Sequence, residues 1–85
     1  MSEELQEVGT VAHFFTKISV AVIDLKASVS VGDRILIKGP TTNLEQTVKS
    51  LEIEHKKVTR AEAGQSIGLK VDDRVREKDI VYKIS

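Results

Sequence analysis

Apolar and polar residues alternate with a period of two along most of the chain, which indicates β-strands rather than helices. The alternating segments are 8–14, 18–23, 35–37, 48–53, 65–71 and 80–84. Val and Ile dominate them, and β-branched residues favour extended backbone. The polar segment 43–47 follows a Gly-Pro turn, so we expect a loop there that enters a strand starting at Val48.

Turn residues separate the alternating segments at intervals of roughly 8–12 residues, a spacing typical of sandwiches and barrels. The sequence therefore predicts an all-β fold, a small closed antiparallel β-barrel of about six to seven strands. Closure would also remove the sheet edges through which a Val- and Ile-rich chain could aggregate. The 85 residues are expected to form a single domain, 1–85, with a flexible N-terminus over 1–6.

The stretch AEAGQSIGLKV at 61–71 contains two glycines four apart and then a lysine, which invites comparison with a phosphate-binding loop. A nucleotide loop of that kind has the pattern G-x-x-x-x-G-K-[ST] between a strand and a helix. Here the spacing differs and the stretch leads into a strand. We expect Gly64 to form a turn and Ile67, Leu69 and Val71 to face inward. Gly68 then lies on the outer face, where a missing side chain permits close approach of a partner.

The composition indicates a globular protein, with 40% hydrophobic and 31% charged residues and no cysteine. The longest apolar run, from Val20 to Ile23, is far too short for a membrane span, and the acidic N-terminus does not resemble a targeting peptide. We therefore expect a soluble cytoplasmic protein without membrane contact. The formal net charge is zero, but acidic residues are concentrated before Arg34 and basic residues after it.

No catalytic or metal-binding pattern is present in the sequence. His13 and His55 are far apart and show none of the spacings that hold a metal. Adjacent carboxylates such as Asp72 and Asp73 point in different directions on extended backbone. We therefore expect no enzymatic activity, no cofactor and no metal. Glu52 and Glu54 share a strand face in this interpretation, which we expect to be solvated.

The clearest charged feature is the segment HKKVTR, with His55, Lys56, Lys57 and Arg60 within six residues. Such a cluster could contact a phosphate backbone, or it could form an ordinary solvated loop.

Several segments resemble the second domain of the translational GTPases, above all elongation factor Tu and its archaeal and eukaryotic counterpart. They are VGTVAH at 8–13, VSVGDRILIKGP at 29–40, VKSLEIEHKKVTRAEAGQSIGLKV at 48–71 and REKDIVYKI at 76–84. The resemblance implies a compact antiparallel barrel that helps to hold the aminoacyl end of tRNA. The chain has no P-loop and no NKxD-type guanine motif, so it resembles that barrel without its GTP-binding domain.

The resemblance also implies a set of contact residues. Glu52 matches a glutamate that contacts the terminal adenosine of tRNA in that family. Ser66 stands where the family has an asparagine that holds the aminoacyl group, and Lys78 stands where the family commonly has glycine. Together with the four residues of the basic segment, these positions give the predicted nucleic-acid-binding residues: Glu52, His55, Lys56, Lys57, Arg60 and Ser66.

Two functions from different classes follow. The first is a non-catalytic module that binds RNA, as tRNA or ribosome, or another translation component. The alternative is a protein-interaction adaptor or accessory module, such as a partner of a peptidase or an RNA-modifying enzyme. The alternative rests on a second resemblance, to the barrel that sits beside the catalytic domain in U32-type peptidases. In either case we expect a monomer or a weak homodimer.

Overall fold

The computed structural model describes residues 4–85, and within that range the regular secondary structure consists of strands without any helix. The ten strands are β1 (Leu5–Phe15), β2 (Val20–Leu25), β3 (Val29–Ser30), β4 (Arg34–Lys38), β5 (Asn43–Thr47), β6 (Leu51–Ile53), β7 (Lys56–Val58), β8 (Arg60–Ala61), β9 (Ser66–Lys70) and β10 (Ile80–Ile84). The all-β prediction is therefore confirmed. The same range contains no helix long and apolar enough to cross a membrane.

Eight of the strands form one antiparallel sheet in the order β5-β4-β10-β1-β2-β9-β6-β7, and β3 and β8 form a separate pair. The prediction of a closed barrel is wrong for the described residues, because the edge strands β5 and β7 do not pair with each other. The segment before β4 reaches both edges instead. The Val31 N–H donates to the Thr59 carbonyl just after β7, and the Gly32 N–H donates to the Val48 carbonyl just after β5.

One side chain also links edge strand β5 to the chain at the end of β9. Gln46, on edge strand β5, is 3% exposed. Its Nε2 donates to the Lys70 carbonyl at 3.0 Å, and its Oε1 accepts the Asp72 N–H at 2.8 Å. A buried amide therefore supplies a hydrogen-bond partner to two backbone groups at the end of β9.

The sheet wraps around a core built mainly from Val, Ile and Leu. The core residues are Val8, Val11, Ala21, Ile23, Leu25, Val29, Ile35, Ile37, Val48, Leu51, Ala61, Ile67, Leu69, Val71, Val75 and Val81. Val8 and Val11 are both buried although simple alternation places them on opposite faces. The reason is that β1 carries a register shift between Glu7 and Gly9 and another between Val11 and His13. Each bulge inserts one residue and re-aims the side chains that follow.

Two local predictions differ from the structure. The polar segment Asn43–Thr47 is a strand paired with β4, whereas residues 48–50 lie outside any strand. A sheet edge needs little apolar surface, so alternation is weak in β5. Leu5 and Gln6, predicted to be part of a flexible N-terminus, pair with Ile84 and Lys83 of β10. Residues 1–3 of that predicted terminus lie outside the described residues.

The interpretation of 61–71 agrees with the structure. Gly64 has φ 90° in the turn before β9. Ile67, Leu69 and Val71 are at most 2% exposed. Lys78 adopts φ 75°, the left-handed backbone that glycine would adopt more easily.

Candidate functional site

A groove of about 320 Å³ crosses the outer face of the sheet over the neighbouring strands β1, β2, β9 and β6. We call it the Gly68 groove. It is lined by Phe15, Ile18, Val20, Val22, Glu52, Glu54, His55, Ser66, Ile67 and Gly68. The strand register brings these residues together, since Gly68 pairs with Val22 on one side and with Glu52 on the other.

The floor of the groove is open because Gly68 has no side chain. A Cβ at this position would lie 3.5 Å from Val20 Cγ1 and 3.9 Å from the Cβ of Glu52, which are ordinary contacts. The backbone at Gly68 also lies outside the left-handed region, so a larger residue could adopt it. Neither packing nor conformation therefore requires glycine here. What the missing side chain does is leave the floor of the groove empty.

One wall of the groove is apolar and unusually exposed. Phe15 is 46% exposed and Ile18 is 56% exposed, and both lie where β1 turns into β2. His13 stacks edge-on against Phe15 with ring centroids 4.5 Å apart, and its Nδ1 lies 3.0 Å from Glu77 Oε2. Neither His13 nor Glu77 lines the groove itself.

The opposite rim is acidic and is formed by the β6–β7 hairpin. Glu54 and His55 are its two loop residues, with φ 51° and 66°. A two-residue type I′ loop requires positive φ at both positions, and Asn-Gly is the usual solution. Within residues 4–85, no Lys, Arg or His nitrogen lies within 4.0 Å of the carboxylates of Glu52 and Glu54. Lys57 pairs with Glu52 in the strand register without forming such a contact.

The structure separates the predicted nucleic-acid-binding residues into two groups. Glu52, His55 and Ser66 line the groove. Ser66 Oγ donates to Asp24 Oδ1 at 2.7 Å, so its hydroxyl already has an acceptor. The other three residues are Lys56, Lys57 and Arg60, which are exposed on β7 and β8 and do not line the groove.

The basic segment is also partly neutralised, since Arg60 Nε lies 2.7 Å from Glu62 Oε2.

Sequence reasoning missed the apolar half of the site, namely Phe15, Ile18, Val20 and Val22. The adjacent pair Phe14–Phe15 was the available signal, because two neighbouring residues of a strand point to opposite faces. Within the described residues, no group of three or more His, Cys, Asp or Glu side chains could hold a metal.

No protein-family model matches the chain. It is 47% identical over 77 residues to a Methanocaldococcus jannaschii protein named as an uncharacterized protease, a match that covers 89% of this chain and 19% of that protein. It is 33% identical over 78 residues to a Porphyromonas gingivalis collagenase, covering 89% of this chain and 22% of the collagenase. The chain thus spans about a fifth of the length of the curated relatives it matches.

Solved structures show the same fold. The C-terminal domain of a protein described as a U32 peptidase from Geobacillus thermoleovorans superposes with a TM-score of 0.86 at 18% identity, covering 92% of this chain and 91% of that domain. Its selenomethionine variant gives a TM-score of 0.85 and covers 89% and 96% of the two chains.

These comparisons overturn the resemblance to the elongation factors, and with it the assignment to translation and tRNA binding. The segments that carried that resemblance are strands and turns whose turn glycines and alternating apolar residues serve the fold itself. Likeness in such segments therefore reports architecture more than function. The chain is similar to one part of proteins named as protease and collagenase, and it shares its fold with the C-terminal domain described for a U32 peptidase.

Proposed function

We propose that the chain is a non-catalytic accessory module of a U32-type peptidase and that it acts by binding protein. The observation that carries this proposal is the pattern of similarity. The match covers 89% of this chain but only 19% of the protease, so most of the relative's length lies outside the module. The superposition also covers 91% of the solved C-terminal domain, which supports the interpretation of this fold as a domain in its own right.

The groove supports a binding role rather than a catalytic one. Nucleophilic catalysis by serine requires a base on the hydroxyl and a third group that orients the base. The Ser66 hydroxyl instead donates to Asp24, and no hydrogen bond joins it to His55 among the described residues. An apolar groove with a charged rim on an exposed sheet face is the usual composition of a protein-binding surface.

Two measurements test the proposal. The first is hydrolysis of labelled casein and gelatin by the purified chain, with the full-length Methanocaldococcus protease as the comparison. We expect no turnover by the chain, and turnover that disappears in Ser66→Ala would contradict the non-catalytic role.

The second measurement is binding, by isothermal titration calorimetry, to the part of the Methanocaldococcus protease that this chain does not match. We expect association in trans, with the matched segment of that protease as a competitor. An absence of association, with both components folded by circular dichroism, would refute the accessory role.

A further inference from the structure

We propose that the Gly68 groove is the face that binds the peptidase polypeptide, and that its occupant is an extended segment carrying an apolar side chain next to lysine or arginine. This inference rests on the accessory role proposed above and specifies its surface and the chemistry of its partner.

The first argument comes from the five glycines of the chain. Gly32 and Gly64 have φ 98° and 90°, so their backbone requires glycine. A Cβ at Gly9 would lie 2.6 Å from the Asp24 carbonyl oxygen, and one at Gly39 would overlap with Asp79, so packing requires glycine at both. Gly68 alone has neither reason, although glycine within a strand weakens it. The open floor of the groove is what this glycine provides.

The second argument is the concentration of backbone strain around the groove. Among residues 4–85, four non-glycine residues have positive φ: Ser19, Glu54, His55 and Lys78. Glu54 and His55 line the groove, and Ser19 lies between the lining residues Ile18 and Val20. Left-handed backbone is unfavourable for residues with a Cβ, and such residues cluster at ligand-binding sites. The turns that border this groove therefore contain three residues in a backbone conformation that is unfavourable for any residue except glycine.

The third argument is electrostatic complementarity. The rim carries two carboxylates, Glu52 and Glu54, that lack an ion-pair partner within residues 4–85. Charged surfaces across an interface are arranged with opposite signs. The acidic rim disfavours a phosphate or an anionic membrane surface and favours a cationic side chain.

The apolar wall specifies the remaining half of the occupant. Phe15 and Ile18 are two of only four large hydrophobic residues found exposed in the described part of the chain, and they are the two that share a groove. The groove has a volume of about 320 Å³. That space suits a few side chains of an extended segment rather than a helix, whose diameter is about 10–12 Å.

The test combines a peptide probe with the peptidase fragment. The probe is the blocked tetrapeptide Ac-Gly-Leu-Lys-Gly-NH₂, titrated into ¹⁵N-labelled chain, with Leu-Glu and Gly-Lys versions as controls. We expect shifts of the Val22, Glu52 and Gly68 amides with the Leu-Lys probe and weaker binding of both controls. Equal affinity for Leu-Lys and Leu-Glu would overturn the assignment of a basic side chain.

Two variants locate the surface. Gly68→Val fills the floor and should weaken binding of both probe and fragment about tenfold or more, as overpacking does. Glu52→Gln with Glu54→Gln should weaken binding of the Leu-Lys probe roughly two- to fivefold for each carboxylate at low salt. Gln6→Val and Glu4→Gln make matched changes at exposed positions outside the groove and should leave both affinities unchanged. Circular dichroism confirms folding, and Gly68→Ala supplies a milder change at the same position.

The outcomes separate this inference from the accessory role. If the fragment binds Gly68→Val as tightly as the unaltered chain, the groove is not the docking face, although the accessory role stands. If the fragment does not bind at all, the accessory role fails. If the Leu-Lys probe still binds in that case, the peptidase is not the protein that supplies the segment. The occupant of the groove would then be another polypeptide with an apolar side chain next to lysine or arginine.

Discussion

The same substitution, glycine to alanine, should have opposite effects on stability at Gly68 and at Gly39. At either position alanine restricts the unfolded chain equally, a gain of about 0.4–1 kcal/mol where the native backbone accepts it. At Gly68 the added methyl meets Val20 Cγ1 at 3.5 Å, so the full gain should appear. The midpoint of thermal unfolding should rise by about 2–8 °C for a domain of this size.

At Gly39 the added methyl would lie 2.7 Å from Asp79 Cγ and would overlap with Oδ1. Asp79 is 2% exposed, and its Oδ2 accepts the Arg76 N–H at 2.8 Å. Displacing the carboxylate adds overpacking of about 1–3 kcal/mol and the loss of a buried hydrogen bond, also about 1–3 kcal/mol. The net destabilisation should be about 1–5 kcal/mol after the unfolded-state gain. A domain of 85 residues has about 4–13 kcal/mol in total.

Urea unfolding followed by far-ultraviolet circular dichroism measures both variants, since the chain has no tryptophan and a single tyrosine. Because the two variants share the same change in the unfolded state, the difference between their free energies of unfolding reports native contacts alone. If Gly39→Ala proves as stable as Gly68→Ala, the buried carboxylate is not packed against Gly39. If Gly68→Ala destabilises the chain, the floor of the groove is not open.

Two further predictions concern the bridge across the sheet and the strained hairpin. Gln46→Ala should lower the free energy of unfolding, measured in urea, by about 2–4 kcal/mol, because the Lys70 carbonyl and the Asp72 N–H both lose a buried partner. A change no larger than that of Glu45→Ala on the same strand would contradict the role of Gln46 as a bridge. Glu54→Asn with His55→Gly should raise stability by about 1–2 kcal/mol by relieving left-handed backbone, and an unchanged melting temperature would show that these residues carry no strain.

Much of the fold could be predicted from local patterns, and the misses have specific causes. The turn at Gly64 and the inward face of β9 followed from spacing and from the chemistry of glycine. The edge strand Asn43–Thr47 was missed because only Gln46 within it is buried, so it shows no apolar alternation. The bulges in β1 were missed because an inserted residue leaves no local mark beyond two apolar residues at odd spacing.

The candidate site was only partly predictable, for a related reason. Glu52 and Ser66 were singled out through a resemblance that proved wrong about function, and His55 through the basic segment, yet the three lie in one groove. The resemblance found Glu52 and Ser66 because outward positions on neighbouring strands are shared by proteins with similar sheets. The basic residues Lys56, Lys57 and Arg60 were grouped with them by proximity in sequence, and the hairpin places them outside the groove.

By itself, the sequence determined most of the strands, the turn at Gly64, and that the core is made mainly of Val, Ile and Leu. These properties depend on the two-residue period of a strand and on the conformational limits of single residues, both of which are local. Only the tertiary structure decided that Phe15, Val22, Glu52 and Gly68 share one groove. The order β1-β2-β9-β6 that joins them is set by contacts between distant segments. The space above Gly68 exists only once those strands are side by side.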